Sequence, residues 1–222
     1  MAPTRLGRQK PFRARSQPSH KGQDMAGSDV KAKYIAADTT AADADGVCQS
    51  QTPAAGGEQN LTINGALSSG GVATFTAARL ITIASAADDS ARTFTVTGTD
   101  VNGNTQTETI AGPATTVTGT LYFRTVTQVT VDDDTAGAIT VGMANDAIDV
   151  VYAGRARLRG IYLIHSGTAG LLSFRDGSAT GTAHLQIATV ASAGSDRDII
   201  IPDEGIMFDS GVYLPYTAGT TV

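Results

Sequence analysis

The sequence predicts an all-β protein: two tandem antiparallel β-sandwich or jelly-roll-like units behind an extended basic N-terminal arm. Three observations carry that prediction. The stretch Arg92–Val131 sets Thr and Val against small polar residues at the two-residue period of a half-buried strand. Twenty-five glycines and a surplus of Thr, Ala and Ser punctuate short apolar runs, which suits strands joined by tight turns. No segment places apolar residues at the helical period over a defensible length.

The elements follow in chain order. Met1–Asp24 carries three prolines and six basic residues with almost no apolar periodicity. Alone it cannot bury enough surface to offset its ordering entropy, so it reads as an arm, extended or disordered until it docks. Met25 offers a second credible start. Val30–Thr52 is Ala- and Asp-rich with weak helical character at best, and Pro53–Gly57 closes a linker, making 1–57 arm and linker.

The first sandwich is expected over 58–145. Leu61 and Ile63 alternate with polar residues, and Gly65–Gly71 turns the chain. Val72–Phe75 and Leu80–Ile83 are strand candidates, as is Thr93–Thr97, with Phe94 and Val96 on one face. Asp100–Asn104 is a hairpin turn leading into Thr105–Ile110. Leu121–Phe123 and Val126–Val131 form one long kinked strand, stopped by Asp132–Asp134, and Ala138–Val141 completes the set. Asn145–Val151 reads as a connector to a second small sandwich over 150–222. There Arg157–Ile164 is expected to pair with Leu171–Arg175 across His165–Gly170. Ala183–Val190, Asp198–Ile201, Ile206–Phe208 and Val212–Leu214 supply the remaining strands.

Charge is split along the chain. Met1–Lys33 holds eight basic residues against two acidic ones, a net +6, so the remainder carries −11 of the total −5. A basic arm on an acidic body calls for an acidic partner: nucleic acid, a protein surface or a neighbouring copy. Docking on protein is favoured over phosphate binding, and no base-reading motif is present. Arg5, Arg8, Lys10, Arg13, Arg15 and Lys21 are the expected docking residues. No apolar run approaches the roughly 20 residues of a membrane span, and the basic N-terminus lacks the apolar block of a secretory signal.

The sequence argues against catalysis. Cys48 is the single cysteine, excluding an internal disulfide and a cysteine-built zinc cage, and it reads as an accessible or partly packed free thiol. His20, His165 and His184 are isolated, with Asp176 the nearest acid in sequence to the latter two. Asp132–Asp134 and Asp88–Asp89 read as solvated turns, and Asp43-x-Asp45-Gly46 is only a fragment of a calcium loop. Asn60-Leu61-Thr62 is formally a glycosylation sequon. No nucleophile elbow or phosphate-cradling loop occurs, and aromatic residues, at 5%, are too few to line a sugar groove. The expectation is a non-enzyme with no cofactor and no metal.

Two blocks carry a family resemblance. TFTVTGTDVNGNTQTETIAGP with TVTGTLYFRTVTQVTV resembles a module of bacteriophage virion proteins. RARLRGIYLIHSGTAGLLSFRDG with IIIPDEGIMFDSGVYL resembles small β proteins from phage structural gene clusters. Together they cover about Glu58–Val222. The resemblance implies a tailed-phage virion structural protein, foremost a capsid decoration (cement) protein that docks on the major capsid protein or other virion proteins. It implies a homo-oligomer, with a trimer favoured, located in the virion after assembly in the bacterial cytoplasm. A tail, neck or fibre component is the first alternative, and a receptor- or glycan-binding module is the alternative of another class. Familiar versions of the second block end in a further alternating strand, so closure of that sheet by a neighbouring chain is a further expectation.

Overall fold

Strand follows strand in the computed structural model, which describes residues 30–165, 169–191 and 195–218; among these there is no helix. The six docking residues of the arm, and His20, lie outside the described residues. The chain divides into Met1–Tyr34, of which the described residues 30–34 form no strand, and Ile35–Val222, which holds every strand below.

The strands are β1 (Asp43–Gln51), β2 (Gln59–Asn60), β3 (Ser68–Ser69), β4 (Val72–Ser85), β5 (Thr93–Thr99), β6 (Thr105–Ala111), β7 (Thr116–Val131) and β8 (Ile139–Tyr152). They continue as β9 (Ala156–Leu158), β10 (Gly160–His165), β11 (Gly170–Asp176), β12 (Ala183–Thr189), β13 (Ser195–Ile200), β14 (Ile206–Phe208) and β15 (Val212–Thr217). One large antiparallel sheet runs β12-β11-β15-β8-β4-β7-β5-β6, with β1 added on β8, β2 on β7 and β3 on β4. Two separate ribbons, β10–β13 and β9–β14, complete the described fold.

The Thr-rich stretch does what its period requires. In β5, Phe94, Val96 and Gly98 are buried while the intervening threonines are partly exposed. The β5–β6 hairpin closes at Asp100, whose Oδ1 accepts the amides of Asn102 and Asn104, and Gly103 takes the positive φ of 85° that the turn needs. At Gly98 the β5–β7 ladder shifts register, and a Cβ there would collide with the Thr125 carbonyl. The kink expected in β7 is this site and its counterpart against β4, where the pair Thr74–Thr125 is followed by Arg79–Phe123.

Two main apolar cores form among the described residues, beside two smaller clusters around Ala147 and Ile148 of β8. The larger gathers Phe75, Ile81, Ile83, Phe94, Val96, Phe123, Val129 and Val141, joined by Val47 and Cys48. The smaller is built on Leu172, Phe174, Ile187, Phe208 and Val212. Removing a side chain such as Phe94 or Phe208 from these cores would cost about 3–5 kcal/mol.

Several expectations are corrected. The segment assigned to arm and linker contains β1, which has no two-residue period because Gly46, Val47 and Cys48 are buried in succession rather than alternately. Asn145–Val151 is no connector but the second half of β8, so the segments expected as separate sandwiches share one strand. Asn145 and Asp146, the polar pair that opens this segment, form with Ala144 an irregularity where the β4–β8 register shifts between Arg79 and Ile81. Leu61 and Ile63 lie beyond β2; the Leu61 amide still donates to the Val129 carbonyl of β7 at 2.9 Å, and its side chain is buried in the larger core. Finally, the strand expected over Arg157–Ile164 is split into β9, which pairs with β14, and β10, which pairs with β13; neither pairs with Leu171–Arg175 of β11, whose partners are β12 and β15. Short strands of similar composition fit several partners, and only the core beneath them selects one.

Candidate functional site

Two places in the fold hold chemistry that strand formation alone does not explain. The first is buried, where β8 exchanges β1 for β15 as its outer neighbour. Arg79 of β4 is fully buried there. Its guanidinium donates to the carbonyls of Ala144 (3.0 Å), Asn145 (3.4 Å) and Thr40 (2.8 Å), and to the Asp38 carboxylate at 2.7 Å. The charge thus satisfies carbonyls that the β8 irregularity takes out of the ladder. Its Nε has no partner among the described residues.

The network extends through Tyr216, whose hydroxyl accepts the Asp38 amide at 3.0 Å and donates to Asp149 at 2.7 Å. Asn145 adds its side-chain oxygen to the Ala42 amide and its carbonyl to the Ala218 amide. Burial alone would raise the Asp38 pKa, but hydrogen bonds from Arg79 and Thr40, with the Arg79 charge, hold it below the usual aspartate range. Burial pushes the Tyr216 phenol up, and the Asp149 carboxylate adds to that. These two shifts favour the forms the network uses, a charged Asp38 and a protonated Tyr216. The arrangement fastens the chain ahead of β1 to β4, β8 and β15. It offers no free nucleophile or base.

Sequence reasoning missed this cluster. Its one signal was Arg79 itself, the sole charge in the otherwise apolar and Thr-bearing VATFTAARLITIAS. A lone charge inside a central strand requires a buried partner.

The other singled-out side chains are structural where described. Cys48 is buried, not accessible, and burial pushes its thiol up to about 12, which removes its nucleophilicity near neutral pH. The His184 ring lies tilted against Phe208 with centroids 5.1 Å apart, and its Nε2 lies 4.0 Å from Asp176. That carboxylate is engaged with the amides of Asp209 and Ser210, which lower its pKa, the Ser210 bond foremost. The described part of His165 is its backbone, paired with Ser195. Asp89 is buried, not solvated, and accepts the amides of Ala136 and Gly137 along with the Ser85 hydroxyl. Asp133 and Asp134 accept the amides of Gly57 and Gly56, and Asp132 accepts that of Thr93. These acids hold loops. Asn60 of the sequon takes a hydrogen bond from Gln128 beside a shallow depression lined by Leu61, Ile63 and Thr127. No cluster of three metal-ligating side chains occurs among the described residues.

The second place is the ribbon β10–β13. Its register sets Gly160 opposite Ile200, Tyr162 opposite Asp198 and Ile164 opposite Asp196. Directly opposed residues share a face. On this face Tyr162 is 64%, Ile164 68% and Ile200 80% exposed, while Ile161, Leu163 and Ile199 on the reverse pack against the smaller core. The Tyr162 hydroxyl donates to Asp196 at 3.0 Å. This hydrogen bond, the largest cause, and the neighbouring carboxylate charges keep the phenol protonated. The ribbon thus holds large apolar side chains outward beside two carboxylates.

The fold defines an antiparallel all-β protein with a buried ionic junction and an exposed apolar-acidic ribbon. No protein-family model matches the chain, and no curated protein or solved structure matches it significantly. No helix among the described residues is long and apolar enough to cross a membrane.

Proposed function

We propose that the protein is a structural component of a tailed-phage virion, acting as a capsid decoration (cement) protein on the outside of the shell. The observation that carries this reading is the β10–β13 face. Tyr162, Ile164 and Ile200 stand outward together, on a body whose other large apolar side chains mostly pack in two cores. Such a patch suits burial against another protein. A cement protein works by many modest contacts repeated over a particle, which bind the assembled shell in preference to the loose subunits. In this reading Arg5, Arg8, Lys10, Arg13, Arg15 and Lys21 lie along an acidic capsid surface, and the sandwich projects from it. The chain acts without cofactor or catalysis, as a homo-oligomer.

The test is binding of the purified protein to emptied, expanded capsids, with copy number read by quantitative gel densitometry. Binding at many copies per particle, weakened by deletion of residues 1–24, supports the proposal. A copy number matching a single tail or neck ring would place the protein there instead. Retention of a glycan on an array by the isolated protein, without capsid binding, would replace both readings with receptor recognition.

A further inference from the structure

We infer that copies of this chain associate head to tail, the outer face of the β10–β13 ribbon of one copy resting on the arginine-bearing β9 segment of the next. The ribbon face is apolar at its centre and acidic at its rim. Tyr162, Ile164 and Ile200 supply the apolar part, and Asp196 and Asp198 the carboxylates, all on one side by register. Burying it without neutralising those carboxylates would be costly.

Two copies meeting through this same face would set Asp196 and Asp198 against their own duplicates. Like charges brought opposite one another across strands disfavour that symmetric arrangement. The partner surface therefore differs from the face itself and carries positive charge.

One exposed stretch of the described body meets that requirement. Arg155, Arg157 and Arg159 stand at every second position, the first just before β9, the second within it and the third just after it, all exposed, with Ala156 and Leu158 between them packed toward the smaller core. Their spacing matches the two-residue spacing of Asp196 and Asp198, so an extended segment can offer arginines to both carboxylates. Arg155 and Arg157 now pair with Asp209 and Glu204 at 3.3 Å and 3.2 Å, but those acids are themselves 72% and 77% exposed. Pairs so solvated exchange readily for a partner in a drier interface. No ion pair of Arg159 occurs among the described residues of the body. An interface between two different surfaces of one chain is heterologous, and it closes into a ring where the rotation permits.

Sedimentation velocity of the full chain over a range of concentrations tests this. Wild type should associate, more weakly at high salt. The double reversals Asp196→Arg/Asp198→Arg and Arg157→Glu/Arg159→Glu should each raise the dissociation constant at least about tenfold. The quadruple variant carrying both reversals should recover association, since the charges again complement. Tyr162→Ser/Ile164→Ser should weaken association without removing its salt dependence. A wild-type monomer at all concentrations, reversals without effect, or a quadruple variant no better than either double would each overturn the inference. The two readings fail separately: a ring that ignores capsids refutes the cement reading and leaves this inference standing, whereas a capsid-bound monomer refutes this inference and the homo-oligomer and leaves docking on the capsid standing.

Discussion

Arg79 is the residue on which the local energetics turn. It is an ion fully removed from water, compensated by one carboxylate and three carbonyls. Breaking a buried pair from one side strands the other charge, so Arg79→Ala should lower unfolding stability by about 3–5 kcal/mol in urea titration. The same pair sets an acid limit. Because the folded Asp38 pKa lies below its unfolded value, its contribution is fully present above about pH 4 and lost as pH falls through the folded value. Stability should therefore drop on acidification below about pH 4, and Asp38→Asn should be less stable at neutral pH yet show a shallower acid slope. At Cys48 the expected outcome is kinetic. A thiol-specific reagent such as Ellman's should leave native protein unlabelled and label it fully in denaturant, since burial both shields the sulfur and suppresses its thiolate.

At the scale of the element, β7 shows how one strand serves two neighbourhoods. Its second half pairs with β5, while in its first half Glu108 of β6 accepts the amides of Thr120 and Leu121, taking the place of a continuing ladder. The changeover depends on Gly98, where the Thr125 carbonyl occupies the space a side chain would need. Gly98→Ala should separate β5 from β7 and cost about 1–3 kcal/mol, as overpacking does. Gly103→Ala, in open space but at positive φ, should cost only about 1 kcal/mol. Comparing the two midpoints in denaturant separates steric exclusion from backbone strain.

For the molecule as a whole, β8 is the spine. Its first half carries Ile139, Val141 and Met143 into the larger core, and Val151 near its end packs against the smaller one. A third contact couples the two regions: Asn102, in the β5–β6 turn, donates to the Tyr213 hydroxyl of β15 at 2.9 Å. Unfolding should accordingly be a single cooperative transition, with calorimetric and van't Hoff enthalpies that agree. Two separated transitions would show that the cores melt independently. A fragment covering 58–145 should fail to fold, because it lacks β1, β15 and half of β8.

How much was legible divides along the same lines. The alternation of Phe94 and Val96 with threonine, the Asp100–Asn104 turn and the kinked β7 were written in adjacent residues, so sequence by itself determined the all-β class and the strands of Arg92–Val131. Periodicity and turn chemistry are local, and they survive without knowledge of partners. What lay beyond it was every decision between distant segments. Whether β10 would take β11 or β13, whether Asn145 would break a strand or merely bulge it, and where the charge of Arg79 would be matched all depend on groups far apart in sequence. Asp38 and Arg79 meet across 41 residues, and Asp38 and Tyr216 across 178. Tyr162, Ile164 and Ile200 read as ordinary strand residues until the register put them on the side away from the core. A two-residue period says that a strand has two faces. Only the packed tertiary structure decides which of them water sees.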